Sequence, residues 1–115
     1  MTFTLLGADI VEALRGHGAQ PAGEAADLIA SRSPISVSVA LEAVRRAASL
    51  SNLEDVLRQE FRTSCGALRS HDLVEGIRAL LIDKDRNPQW SPASPAEVTA
   101  EDVDAYFVSA DPDLT

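Results

Sequence analysis

"HDLVEGIRALLIDKDRNPQW", residues 71–90, is the stretch on which the reading turns. Leu73, Ile77, Leu80 and Leu81 recur at helical spacing, so it opens as an amphipathic helix. Asp72 and Glu75 give a D-x-x-E cap and place the helix start at Ser70 or Asp72. Asp83, Lys84, Asp85 and Arg86 then end the helix in water, and Pro88 prevents its continuation. Trp90, the single tryptophan, is expected to fold back as an apolar anchor. Gly76 lies inside the helical pattern, where glycine costs about 1 kcal/mol relative to alanine. A glycine kept there points to another backbone passing close by. These are the features of a docking element, not of a reactive site.

Outward from that stretch almost every segment also reads as helix. Ala8 to Arg15 places Ile10, Val11 and Leu14 on one face, with Gly16 as the expected C-cap. "GHGAQPAGE", residues 16–24, follows as a loop, with Pro21 suited to the first turn of a second helix. That helix contacts its neighbours through Leu28 and Ile29 and stops near Arg32. Ser33-Pro34 reads as an N-cap with proline at the first helical position. The alternation in "ISVSV" resembles a strand, but the stripe Val37, Leu41, Val44 and Ala48 runs on too far, and helix is preferred. Ser51 and Glu54 give a capping box for the longest helix, which carries Leu53, Val56, Leu57, Phe61, Ser64, Cys65 and Leu68. Glu60 falls on the border of that stripe, beside Arg58 or Arg62. "NPQWSPASP" must be an extended connection, and Thr99 with Asp102 caps a last short helix bearing Val103, Tyr106 and Phe107. The fold class is all-α, with five to six helices. The stripes beginning at Val37, Leu53 and Leu73 are expected to pack together. Segment 1–7 has no assigned place, 8–90 forms the helical body, and 91–115 forms an acidic, Pro-rich tail with the terminal helix.

At 115 residues the chain suits one domain with one core. Eighteen acids against ten bases give a net charge of -8, which repels phosphate backbones and anionic lipid and disfavours nucleic acid or a membrane as partner. The imbalance is concentrated late, with eight acids and two bases from Asp83 onward. Cys65 is alone, which removes an intrachain disulfide and a cysteine-based metal cluster. No apolar run approaches membrane-spanning length, so a reducing compartment, most simply the cytoplasm, is expected. His17 and His71 have no partners at metal-ligand spacing, no serine sits in a nucleophile elbow, and the glycines form no phosphate-cradling loop. No catalytic, metal or cofactor-binding residue is expected here.

The opening stretch also carries a resemblance. Its pattern, H-D-x-x-E-G-I-R-A-x-L-I-D-K-D-x-x-P-x-W, is similar to the C-terminal signature of the crotonase (enoyl-CoA hydratase/isomerase) superfamily, in the form found in the 3-hydroxyisobutyryl-CoA hydrolases. "RSPISVSVALEAVRRA", "LEDVLRQEFRTSCGAL" and "WSPASPAEVTAEDVDAYF" resemble other parts of that branch in the same order, and the likeness spans about Ala8 to Phe107. The signature residues, as structural elements, are His71, Asp72, Glu75, Gly76, Asp83, Asp85, Pro88 and Trp90.

The resemblance implies a role in hydrolysing a CoA thioester in valine degradation. In that family a β-rich spiral core precedes the helices and supplies the oxyanion hole and the acids that activate water. None of the core motifs occurs in these residues. The chain therefore looks like the C-terminal helical segment of such an enzyme, inactive alone, with the core supplied in cis or in trans. A stand-alone helical interaction protein and one half of a split enzyme are the alternatives. No cofactor is implied, because the acyl-CoA is the substrate. Lys84 corresponds to a lysine that reaches the nucleotide end of CoA, although Asp83 and Asp85 beside it also suit a local ion pair. An apolar face left for the core implies self-association of the isolated chain.

Overall fold

In a computed structural model of the chain, residues 7–110, 112 and 113 are described; the expected segment 1–7 thus lies outside the described residues except for Gly7. Among them there are six α-helices and no strand, as the sequence pattern predicts. Helix α1 spans Gly7–His17, α2 Gln20–Ala30, α3 Pro34–Ala47, α4 Leu53–Leu68, α5 His71–Ile77 and α6 Ala100–Asp104. A π-helical turn, Arg78–Ile82, continues α5, and a 3₁₀ turn, Pro95–Glu97, precedes α6.

Capping chemistry explains most boundaries. The Ser33 hydroxyl accepts the Ser36 N–H at the head of α3, and the helix assignment of "ISVSV" holds. Ser70 caps α5 by accepting the Leu73 N–H. Thr99 and Asp102 form the expected reciprocal capping box on α6. Two expected ends move. Helix α1 runs through Gly16 and stops at Gly18, whose φ of 87° is the left-handed conformation that glycine adopts without penalty. The loop to α2 is correspondingly short, and Pro21 sits in the first turn as expected. Helix α4 is capped by Asn52, not Ser51, because Asn52 has the extended backbone of a cap and its side chain accepts the Asp55 N–H at 2.9 Å.

Which faces are buried differs more. The core is the cluster Ile35, Val39, Val98 and Val103, with Tyr106 and Phe107 packed against it. Helix α3 thus turns Ile35, Ser38, Val39 and Glu42 inward, and Val44, expected in the stripe, is 72% exposed. On α2 the buried side chain is Ala26, while Leu28 is exposed. On α4 the buried residues are Gln59 and Gly66, and Leu53, Leu57 and Leu68 face outward. Glu60 is exposed and Arg58 and Arg62 pair elsewhere, with Asp55 and Asp113. The stripes from Leu53 and Leu73 therefore do not close on that of Val37. Instead residues 98–107 cover α3, and the acidic segment contributes half of the buried core cluster.

The close backbone approach also lies elsewhere than expected. A Cβ on Gly66 would fall 2.8 Å from Cδ2 and 3.1 Å from Cα of Tyr106. A Cβ on Gly76 would meet only the Trp90 ring, at 3.4 and 3.6 Å, which is ordinary contact. At Gly76 only the indole edge, Cη2 and Cζ3, comes near α5, whereas Gly66 lets the chain after α6 cross α4.

Candidate functional site

Two polar knots fix the 71–90 stretch. The first is Asp72, buried in the first turn of α5. Its carboxylate accepts the Ser33 hydroxyl on one oxygen, and on the other the Ser91 N–H at 2.9 Å and a contact with Nδ1 of His71 at 2.8 Å. A buried carboxylate is tolerated because several donors meet it. One side chain thereby ties the start of α3, the start of α5 and the chain beyond Trp90 together. Ser33, Asp72 and His71 are the three residue types of a hydrolytic set, but in the wrong order. Asp72 stands between the other two, so no imidazole touches the hydroxyl and the serine has no general base. His71 is 57% exposed against 2% for Asp72, and the pair sits at the helix start. His17 ends α1 on the surface.

The second knot is Arg78, at the head of the π turn. Its guanidinium makes a two-pronged contact with Glu75, Nε to Oε1 at 2.8 Å and Nη2 to Oε2 at 2.7 Å. Nη1 also donates to Asp83 and Asp85, each at 2.8 Å, and Nη2 reaches the Asn87 carbonyl at 3.4 Å. The fork of donors on one planar group is what allows three carboxylates to share it. Glu75 in turn accepts the Gln89 N–H at 2.7 Å, which leads the chain towards Trp90. Arg78, followed by the Gln89 N–H, holds the Glu75 carboxyl down to about 2. Arg78 and then the Asn87 N–H lower Asp85, and the carboxylates, Glu75 foremost, raise Arg78.

Lys84 projects from the turn that Arg78 organises and makes no ion pair among the described residues. Its neighbours Asp83 and Asp85 pair with Arg78, so the local pairing of Lys84 that the sequence suggested is not formed. Pro88 and Trp90 follow as half-buried residues, and the indole N–H donates to the Ser31 carbonyl at 3.3 Å. Trp90 is thus an anchor onto the end of α2, though with part of its ring in water. Among the described residues no group of three His, Cys, Asp or Glu side chains is arranged to hold a metal ion, and no helix is long and apolar enough to cross a membrane.

Beside these knots lies a groove of about 470 Å³, lined by Leu73, Gly76, Ile77, Leu80, Leu81 and Trp90 among others. Leu73, Val74, Ile77, Leu80, Leu81 and Ile82 are all exposed along α5 and the π turn. Exposed apolar residues gathered in this way are the usual material of interaction surfaces. The sequence placed Leu73, Ile77, Leu80 and Leu81 on one face but had them packing within the chain. Arg78 and Ser33 were not singled out as site residues. The signal for Arg78 was a base with acids three residues before it and five and seven after it.

A sequence model of the family described as enoyl-CoA hydratase/isomerase matches residues 5–107. The chain is 41% identical over 101 residues to the mitochondrial 3-hydroxyisobutyryl-CoA hydrolase of Homo sapiens, which covers 88% of this chain and 26% of that protein. It is 38% identical over 103 residues to the corresponding protein of Danio rerio, covering 90% and 27%. Among solved structures, a carnitinyl-CoA dehydratase from Mycobacterium thermoresistibile superposes with a TM-score of 0.89 and 63% identity, over 98% of this chain and 32% of that one. An enoyl-CoA hydratase from Rhodobacter sphaeroides 2.4.1 gives 0.86 and 32% identity, over 98% and 34%. The chain thus spans about a quarter of the length of the curated relatives it matches and about a third of the solved chains. Its helices are those of the helical segment of a crotonase-type fold, and the match covers both polar knots and the groove beside them. The chain belongs to the enoyl-CoA hydratase/isomerase family.

Proposed function

We propose that the chain acts as the C-terminal helical segment of a CoA-thioester hydrolase similar to 3-hydroxyisobutyryl-CoA hydrolase, working in valine degradation in the cytoplasm. Residues 8–90 form its body and residues 91–115 its acidic, Pro-rich tail with the terminal helix. Its task is to support the fold and one edge of the CoA site, while a β-rich spiral core, in cis or in trans, supplies the chemistry. Hydrolysis of a thioester needs donors preorganised for the developing oxyanion and a carboxylate beside the attacking water. The carboxylates nearest the groove are engaged, Asp72 by Ser33, His71 and Ser91, and Glu75 by Arg78 and Gln89. Neither is available as a base.

The observation that carries the proposal is the apolar face of α5 and the π turn, held in shape by two polar knots yet left exposed among the described residues. Preorganisation of an uncovered face makes sense where another body packs on it. Lys84 is the residue we place at the nucleotide end of CoA. The test is thiol release from 3-hydroxyisobutyryl-CoA, measured colorimetrically for the chain alone and for the chain mixed with a separately purified spiral core. Release only with the core is expected. Release by the chain alone refutes the supporting role, and a core that neither binds nor gains activity leaves the stand-alone interaction protein as the better account.

A further inference from the structure

The turn D-K-D-R, residues 83–86, ought by its composition to neutralise itself, with each cation flanked by a carboxylate. It does not. Asp83 and Asp85 both give an oxygen to the same nitrogen of Arg78, at 2.8 Å each. The second oxygen of Asp85 accepts the Asn87 N–H at 2.9 Å. Lys84 and Arg86 are exposed and their side chains have no carboxylate partner among the described residues. Both also have left-handed backbones, with φ of 56° and 55°. Side-chain-bearing residues seldom adopt that conformation, and it persists where the surroundings hold it, commonly at ligand-binding turns. What holds it here is visible. The Arg86 N–H donates to the buried Ala79 carbonyl at 3.0 Å, and Arg78 gathers the side chains on either side of Lys84.

We propose that Arg78 is a positioning residue that withdraws Asp83 and Asp85 from this turn, leaving Lys84 and Arg86 to bind the phosphates of the nucleotide end of CoA. The inference deepens the function proposed above and rests on its reading of Lys84. The physical point is that a chain of net charge -8 offers phosphate few unpaired cations. Two neutral-looking ion pairs in the turn would remove these two as well. A guanidinium can take several carboxylates at once, which an ammonium cannot do with the same fixed geometry. Arg78 thus uses one positive charge to release two.

The experiment measures binding of adenosine 3′,5′-bisphosphate to the full chain by the ³¹P line width of the probe, which tolerates self-association of the protein. Circular dichroism checks that each variant is folded. Lys84→Ala combined with Arg86→Ala is expected to weaken binding; if it does not, the placement of Lys84 fails and the proposal with it. Arg78→Gln is expected to weaken binding by about fivefold, the upper end of what one exposed ion pair yields. Asp83→Asn with Asp85→Asn should then restore most of that loss in the Arg78→Gln background, yet change binding much less when Arg78 is present. A purely structural arginine predicts no such rescue. Equal effects of the asparagine pair in both backgrounds, or unchanged binding in Arg78→Gln, overturns the positioning role while leaving Lys84 in place. Should Arg78→Gln fail to fold, Arg78→Lys keeps the charge without the fork and is read in the same cycle.

Discussion

The sharpest test of the packing is a pair of glycine-to-alanine changes in neighbouring helices. At Gly66 a new methyl group would sit 2.8 Å from Cδ2, 3.1 Å from Cα and 3.2 Å from Cγ of Tyr106. The ring can swing aside, but Cα is backbone and has to move. It is held by the Tyr106 N–H to the Val103 carbonyl at 3.0 Å and the Phe107 N–H to the Asp104 carbonyl at 2.9 Å. Val103 is fully buried, so a shift there strains the small core. Overpacking of this kind costs about 1–3 kcal/mol, offset by about 1 kcal/mol from replacing a helical glycine. Because backbone must yield, we expect the upper part of that range and a net loss of about 1–2 kcal/mol for Gly66→Ala. At Gly76 the nearest atoms are the Trp90 ring at 3.4 and 3.6 Å, so Gly76→Ala meets no clash. It should be neutral or stabilising by up to about 1 kcal/mol. Urea denaturation followed by far-ultraviolet circular dichroism reads both, with a midpoint drop of about 1 M expected for the first at a typical slope. A Gly66→Ala chain at least as stable as the parent, or Gly76→Ala as the more damaging change, refutes the crossing of Tyr106 over α4.

Asp72→Ala leaves the Ser33 hydroxyl and the Ser91 N–H without their acceptor and should destabilise by about 1–3 kcal/mol in the same urea assay. Glu75 has its folded-state pKa lowered to about 2 by Arg78 and the Gln89 N–H, so the stability it contributes is present above its ordinary pKa and is lost as pH falls towards 2. Midpoints measured from pH 6 down to pH 2 should therefore fall less steeply for Glu75→Gln than for the parent. Trp90→Ala should cost less than the about 3 kcal/mol of a fully buried aromatic, since the indole is only half covered; the loss of Trp90 is read by thermal melting. The isolated chain should bind a hydrophobic dye or self-associate through the face around Leu80 and Leu81, and a Leu80→Glu, Leu81→Glu chain should do so markedly less, as seen by light scattering.

The helices were legible because their ends are written locally. Ser33 before Pro34, and Thr99 three residues before Asp102, are signals that no distant contact needs to complete. Which face turns inward was not local. Helix α3 carries Ile35, Val37, Val39, Leu41 and Val44, which surround more than one side, and only the arrival of Val98 and Val103 selects Ile35 and Val39. The Asp72 knot was hidden for the same reason, since Ser33 and Ser91 lie 39 and 19 residues away. The Arg78 knot was nearer to hand, but the π turn that brings Asp83 and Asp85 back to it has no signature in the pattern of apolar residues. Gly76 drew notice because it interrupts a strong helix, whereas Gly66, the tighter site, sits among small residues that conceal it.

The two polar knots also explain how so small a core holds so exposed a helix. Among the described residues six apolar side chains are buried and twelve large ones are exposed, and the radius of gyration is 15.3 Å. A compact chain of this length has a radius nearer to about 13 Å. The apolar content, 45%, is ordinary for a globular protein, so the small core reflects apolar side chains left exposed and not a lack of them. Helix α5 has seven residues and a π turn of five, too little to persist on propensity. Its apolar stripe is outside, and only Ala79 on that stretch is a buried apolar residue. Hydrogen bonds to charged groups are therefore what shape it, through Asp72 at one end and Arg78 at the other. Ordering the surface with polar contacts first lowers the entropy that a partner must overcome on docking. On the function proposed above, the apolar face adds its burial when the spiral core packs on it.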